Sequence, residues 1–258
     1  MQTSFSELEY TARKKQTRRD RFLNEIEVIT PWTELEKAAA PYYPSSNGRA
    51  RPPIGLVRML RMYVVQQCFG LSDEGAEDAL YDSQAIRRFV GVDLSCETTP
   101  DATTLLNFRY LLETHQLTES IFNTINAHLA EKGLFLREGM IVDATLIAAA
   151  SSTKNKDGKR EENRALPVTW HVAMRPGKRK ALSNTTEGEL LKKIEHTKAS
   201  IRAKVEHPFH VVKNLFRHCK ARYQRLAKNT AQLFSLFGLA NLMLARRWLL
   251  NVHTQGAF

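Results

Sequence analysis

A chain of 258 residues, 43% hydrophobic and 25% charged, has the composition of a soluble globular protein with apolar mass for one or two cores. Its three cysteines, Cys68, Cys96 and Cys219, are widely spaced and form no CxxC pair, which argues against a disulfide framework or a zinc ribbon and for a reducing cytosol. The net charge of +11 is lopsided: residues 1–135 carry 15 Lys+Arg against 18 Asp+Glu, and residues 136–258 carry 23 against 9. Between 175 and 228 the balance is 15 basic to 4 acidic, a field suited to a polyanion, with nucleic acid the default partner.

The N-terminus, "MQTSFSELEYTARKKQTRRD", has no apolar run of the signal-peptide kind, and its acidic residues argue against a transit peptide. From Asp20 to Ala40 the pattern predicts two helices broken at Thr30-Pro31. "PYYPSSNGRARPP" reads as a surface connection in which Arg49 and Arg51 either touch DNA or simply decorate a linker. Leu56, Met59, Leu60, Tyr63 and Val64 then recur at helical spacing. Ser72 is the expected N-cap of "DEGAEDALY", and Gly91 the expected stop of "DSQAIRRFV". This pair suggests a helix-turn-helix unit presenting Arg87 and Arg88 to DNA, against the plainer reading of a structural bundle that the acidic balance favours. Thr99 with Pro100 is the expected start of a helix running to His115, and Thr118 and Gly133 bracket the next.

The texture changes after residue 135. "MIVDATLIAAASS" is rich in β-branched residues and predicts strands at about 139–145 and 147–151; "PVTWHVAM" alternates like a third. Beyond "RPGKRK" the chain reads as helical from Glu187 to Lys204, resuming after Pro208 and ending in an apolar helix near Trp248. The apolar run 231–245 falls short of the roughly 20 residues a spanning helix needs, so it is expected in a core and no membrane partner is expected. The expected fold is mainly α with a small sheet: a helical domain over 1–135 and an α/β unit over 136–258.

Two chemical signals stand out. Asp143 places a carboxylate inside an apolar strand, which is expensive unless it is paired or binds a metal, though a turn-capping aspartate fits the segment equally. In "IRAKVEHPFHVVK", the spacing of Arg202, Glu206 and Lys213 puts all three within roughly 40° on an α-helix, suiting a face that handles phosphodiesters. His207, His210, His218 and Cys219 have near-ligand spacing, but no acidic or second cysteine partner completes a zinc site.

Together, "PPIGLVRMLRMYVVQQCFGLSDEGAEDALYDSQAIRRFVG", "TPDATTLLNFRYLLE", "GMIVDATLIAAASSTKNKDGKR" and "RAKVEHPFHVVKNLF" resemble bacterial insertion-sequence transposases of the DDE class, of the insertion-sequence-five type. The resemblance spans nearly the whole chain and implies a ribonuclease-H-like core holding two Mg²⁺ (or Mn²⁺) ions between two Asp and one Glu, in a cytoplasmic protein that cuts and joins double-stranded DNA at terminal inverted repeats. By motif, Asp143 is the first metal ligand and catalytic carboxylate, Glu206 the last, and Arg202 and Lys213 bind DNA. The family's second aspartate has no counterpart, since no aspartate follows Asp157. After "DGKR" the chain passes at once to sequence resembling the far side of that residue, implying a truncated core with a deletion joined between Lys159 and Glu161 and impaired catalysis. The alternative to an active enzyme is a catalytically dead, DNA-binding or inhibitory derivative that pairs with itself or with an intact transposase.

Overall fold

The computed structural model describes residues 15–44, 53–94, 99–134, 174–182 and 185–255, with the backbone alone at 176, 201–205 and 253–255. Helix α1 (Arg18–Ile29) opens on a capping box: the Thr17 hydroxyl accepts from the Asp20 N–H at 3.1 Å, and the Asp20 carboxylate accepts from the Thr17 N–H at 2.9 Å. Two otherwise orphaned donors are satisfied at once. Leu23, Ile26 and Ile29 form its buried stripe. The helix ends at Thr30-Pro31 as the sequence predicts, and α2 (Trp32–Ala39) follows, with the Trp32 indole N–H donating back to the Glu27 carbonyl at 3.1 Å.

Helix α3 (Leu56–Phe69) is the centre of the bundle, with ten of its fourteen residues buried. It stops at Gly70, whose φ of 63° is open to glycine at little cost. Helix α4 (Asp73–Asp82) is capped by Ser72, which accepts from the Gly75 N–H at 2.9 Å, and α5 (Gln84–Val90) is closed by Gly91; both follow the sequence reading.

Two predicted starts are displaced. Helix α6 (Ala102–Thr114) is capped by Asp101, which accepts from the Thr104 N–H at 2.6 Å, and not by Thr99. A carboxylate beside the positive end of the dipole outcompetes the Thr-Pro start, and Glu77 of α4 accepts the next orphan donor, the Ala102 N–H, at 2.8 Å. Helix α7 (Leu117–Glu131) begins before Thr118: Gln116 takes the left-handed conformation at φ 53°, and Thr118 is buried instead of capping. Gly133 ends this segment at φ 71°, as expected.

The remaining helices are α8 (Pro176–Lys180), α9 (Thr186–His210) and α10 (Leu226–Gln255). The predicted break near Pro208 is absent. Helix α9 runs through the proline and passes directly into a π-helical stretch, Val211–Leu215. Helix α10 is twice the length of the apolar run that announced it. Leu226–Val252 is long and apolar enough to cross a membrane by length and composition, but Leu236, Leu239, Ala240, Leu242, Met243 and Leu249 are buried in the bundle, so it serves as a core helix.

These residues share one hydrophobic core with Leu23 and Ile26 of α1 and Ile121, Ile125 and Leu129 of α7. The approach of α10 to α7 is close at Gly238, where an added Cβ would stand 3.1 Å from Ile125 Cδ1. The expected boundary near 135 is therefore crossed by the last helix, which folds back onto the first half of the chain. The described residues are mainly helical and contain no sheet. The strands expected at 139–145 and 147–151, and nearly all of the third, lie outside them.

Candidate nucleic-acid interface

Of the residues the sequence marks for catalysis, Glu206 is described in full. It is exposed on α9, one turn before the helix ends. Arg202 lies one turn earlier on the same helix, with its backbone described, whereas Asp143, Arg49 and Arg51 lie outside the described residues. Lys213 is half-buried within the π stretch.

That stretch follows from local chemistry. Pro208 offers no N–H to the turn before it, and a helix carrying such a defect relaxes by widening. The Val211 N–H is shared between the His207 and Pro208 carbonyls, and the Phe216 N–H donates to the Val211 carbonyl five residues back at 3.0 Å. Packing fixes the wider turn: Val211, Val212 and Phe216 are buried, and the Phe209 ring meets Phe237 of α10 edge-on at 5.0 Å. Glu206, His207, His210 and Asn214 remain exposed on the other side, with Asn214 Nδ2 2.8 Å from His210 Nδ1. The alignment of Lys213 with Glu206 assumed α-geometry throughout, and the π turn shifts the phase of Lys213 away from it.

Among the described residues no group of three or more His, Cys, Asp or Glu side chains is placed to hold a metal ion. Glu206 alone does not fit a two-metal site, which needs several carboxylates converging on a pair of ions about 3.5–4 Å apart. His218 is 4% exposed, with burial first and Arg222 second holding its pKa below the ordinary imidazole value, which keeps it neutral.

The basic run from 175 to 228 divides into solvent-facing and structural cations. Arg175, Lys178, Lys180, Lys193, Lys220 and Arg225 are exposed. Lys198 is instead bound to the buried Glu195 at 2.8 Å, and this contact together with the Met174 N–H holds the Glu195 carboxyl below its usual range. Arg222 reaches across to the end of α3, donating to the Gly70 carbonyl at 2.6 Å and the Leu71 carbonyl at 2.9 Å. Next to it the Tyr223 ring lies 5.2 Å from the guanidinium of Arg109, which grips Asp73 with two bonds of 2.6 and 3.0 Å. Burial would lower Arg109, but Asp73, Tyr223 and Glu113 outweigh it and raise its pKa.

On the first half of the chain, α4 and α5 are joined by the single residue Ser83, shorter than the three or four residues of a helix-turn-helix link. Four of the seven residues of α5 are buried. Arg87 is turned onto the end of α4, where its guanidinium donates to the carbonyls of Leu80 at 3.1 Å and Tyr81 at 2.5 Å. Arg88 is exposed. It borders a cleft shared with Lys15, a residue to which the sequence reading gave no role, although "ARKKQTRRD" is the densest basic run in the acidic half.

Two family models match this chain: a Transposase domain (DUF772) over residues 11–111 and a Transposase DDE domain over residues 164–242. Together they support an insertion-sequence DDE transposase. No solved structure matches the chain. The first match carries Arg87, Arg88 and the Lys15 cleft, and the second carries Glu206 and Lys213. The DDE domain implies a ribonuclease-H-like fold and divalent metal ions; the described residues show neither a sheet nor a metal cluster. The two matched segments are not separate bodies, since Gln232 of the DDE segment donates to Gln67 of the first segment at 3.2 Å and the Tyr63 hydroxyl lies 2.8 Å from that of Ser235.

Proposed function

We propose that this chain is a DNA-binding transposase of the insertion-sequence-five type in which strand cleavage and transfer are impaired. The observation that carries the reading is the extent of the DDE match: it begins at 164, beyond Asp143, and spans Glu206, while no aspartate follows Asp157. One aspartate and one glutamate hold a pair of Mg²⁺ or Mn²⁺ ions weakly, and loss of central strands leaves sheet edges unpaired. What remains is a polyanion-binding surface: the exposed cations of 175–228, with Arg202 and Lys213 beside them in sequence, contacting double-stranded DNA at terminal inverted repeats. Such a protein acts in the cytoplasm and, by pairing with itself or with an intact transposase, occupies element ends without cutting them.

The test is a strand-cleavage assay on element-end DNA with Mg²⁺ or Mn²⁺. Specific binding that weakens steeply with salt and yields no cleavage supports the reading. Cleavage that disappears in Asp143→Ala establishes an active enzyme and overturns the impairment. A protein showing no salt-dependent DNA binding overturns the reading as a whole.

A further inference from the structure

A cleft of about 460 Å³ opens between α1 and α5, with α3 at its back. Leu23, Ala85 and Phe89 are among its lining residues, and the polar side chains around them divide into two kinds. Each of its carboxylates has a partner, although Glu27 Oε2 is buried without a hydrogen bond. Glu27 pairs with Arg61 at 2.5 Å, and Asp20 completes the capping box with Thr17. Arg61 is committed as well: it donates to the Phe89 carbonyl at 3.2 Å, and its guanidinium lies 5.3 Å from the Trp32 ring. Lys15 and Arg88, from opposite sides, are exposed and make no ion pair among the described residues.

Further cations flank the start of α1 outside the cleft lining, and the guanidinium of one of them, Arg19, lies 5.5 Å from the Phe69 ring. Arg18, Arg19 and Arg21 are exposed along the start of α1. This is the positive end of the helix dipole, where each cation opposes the macrodipole, so helix stability does not account for the cluster. With Lys15 and Arg88 these make five exposed cations spread over more than one turn, which matches an extended chain of negative charges better than a single small anion.

We propose that this cleft seats a DNA phosphodiester backbone, with Lys15 and Arg88 on phosphates and the amides of Gln16 and Asn24 available as further donors. The inference rests on the DNA-binding reading above and adds a second contact surface, in the acidic half of the chain, separate from the basic run 175–228.

The test measures binding of the full chain to a labelled duplex by fluorescence anisotropy across a salt series, for the wild type, Lys15→Gln, Arg88→Gln and the double variant. Each lost phosphate contact is expected to reduce the slope of log affinity against log salt by about 0.9, so the double variant loses about 1.8. Arg88→Lys should keep the wild-type slope, because a phosphate contact needs a charge more than a fork. The substituted side chains are exposed, and unchanged cooperative melting of each variant verifies the fold. A double variant with wild-type affinity and slope overturns the cleft. If Lys180→Gln and Lys193→Gln lower the slope while the cleft variants do not, DNA binding stands and the cleft proposal falls. If the wild type itself shows no salt-dependent binding, both fall.

Discussion

Arg109 shows how few side chains hold the two matched segments together. Its guanidinium joins Asp73 of α4, Glu113 of its own helix at 3.8 Å, and the Tyr223 ring of the C-terminal half. Its side chain is 12% exposed, so Arg109→Met leaves two carboxylates with a desolvated neighbour missing. Removing one partner of such a partly buried, doubly hydrogen-bonded pair costs about 1.5–3 kcal/mol, and urea unfolding should show a loss in that range. Gly70→Ala is expected to cost at least ~1–2 kcal/mol, because φ is positive there and a Cβ would approach the Phe216 carbonyl oxygen to 2.9 Å.

The buried imidazole of His218 gives a pH dependence. Its folded pKa is depressed below the unfolded value near 6.5, so the unfolded chain takes up a proton first as pH falls. Stability is therefore fully present above about 6.5 and declines below it; His128, lowered by burial and then by Lys132, adds in the same direction. Melting temperature should fall between pH 7 and pH 5, and His218→Gln should flatten that decline. An unchanged profile in the variant would remove His218 as its source.

At the scale of elements, much was legible wherever the determinant is local. Ser72, Gly91 and the Thr30-Pro31 break did what their chemistry predicts, because a cap or stop depends on residues within one turn. Thr99 and Thr118 misled for the same local reason: Asp101 and Gln116 lie two residues away, and the choice between adjacent starts is settled by Glu77 of another helix and by burial of Thr118. Arg87 read as a DNA contact because its bonds to Leu80 and Tyr81 depend on the angle between α4 and α5, which the sequence does not state. At the candidate site, the exposure of Glu206 on α9 follows from its helical phase, but the phase of Lys213 was hidden because the π turn arises from Pro208 and the packing of Phe209 and Phe216 acting together. The close passage of α10 over α7 predicts that Gly238→Val forces the pair apart, with a loss of about 1–3 kcal/mol measurable by denaturant midpoint.

The whole molecule is organised by α10. Composition divided the chain at residue 135, where the charge balance turns, yet the hydrophobic core ignores that division. Periodicity tells which face of α10 is apolar, and nothing local tells which partner that face will meet. Ending the chain at residue 225 should therefore abolish cooperative melting of the entire bundle instead of trimming one domain, a result circular dichroism would register directly. A truncated chain that still melts with the wild-type midpoint would show the first half to be autonomous.

The return of α10 to the first helices also sets an order of events during synthesis. Residues 236–249 leave the ribosome after the helices they pack against, so the groove they fill against Ile121, Ile125 and Leu129 stands open to water until they emerge. The nascent first half must wait, with its apolar face exposed, and contacts between residues more than a hundred positions apart make the closing step slow relative to local helix formation. Chaperone capture of the stalled first half, released once residue 255 has emerged, is the signature that this delayed closure leaves in a translation time course.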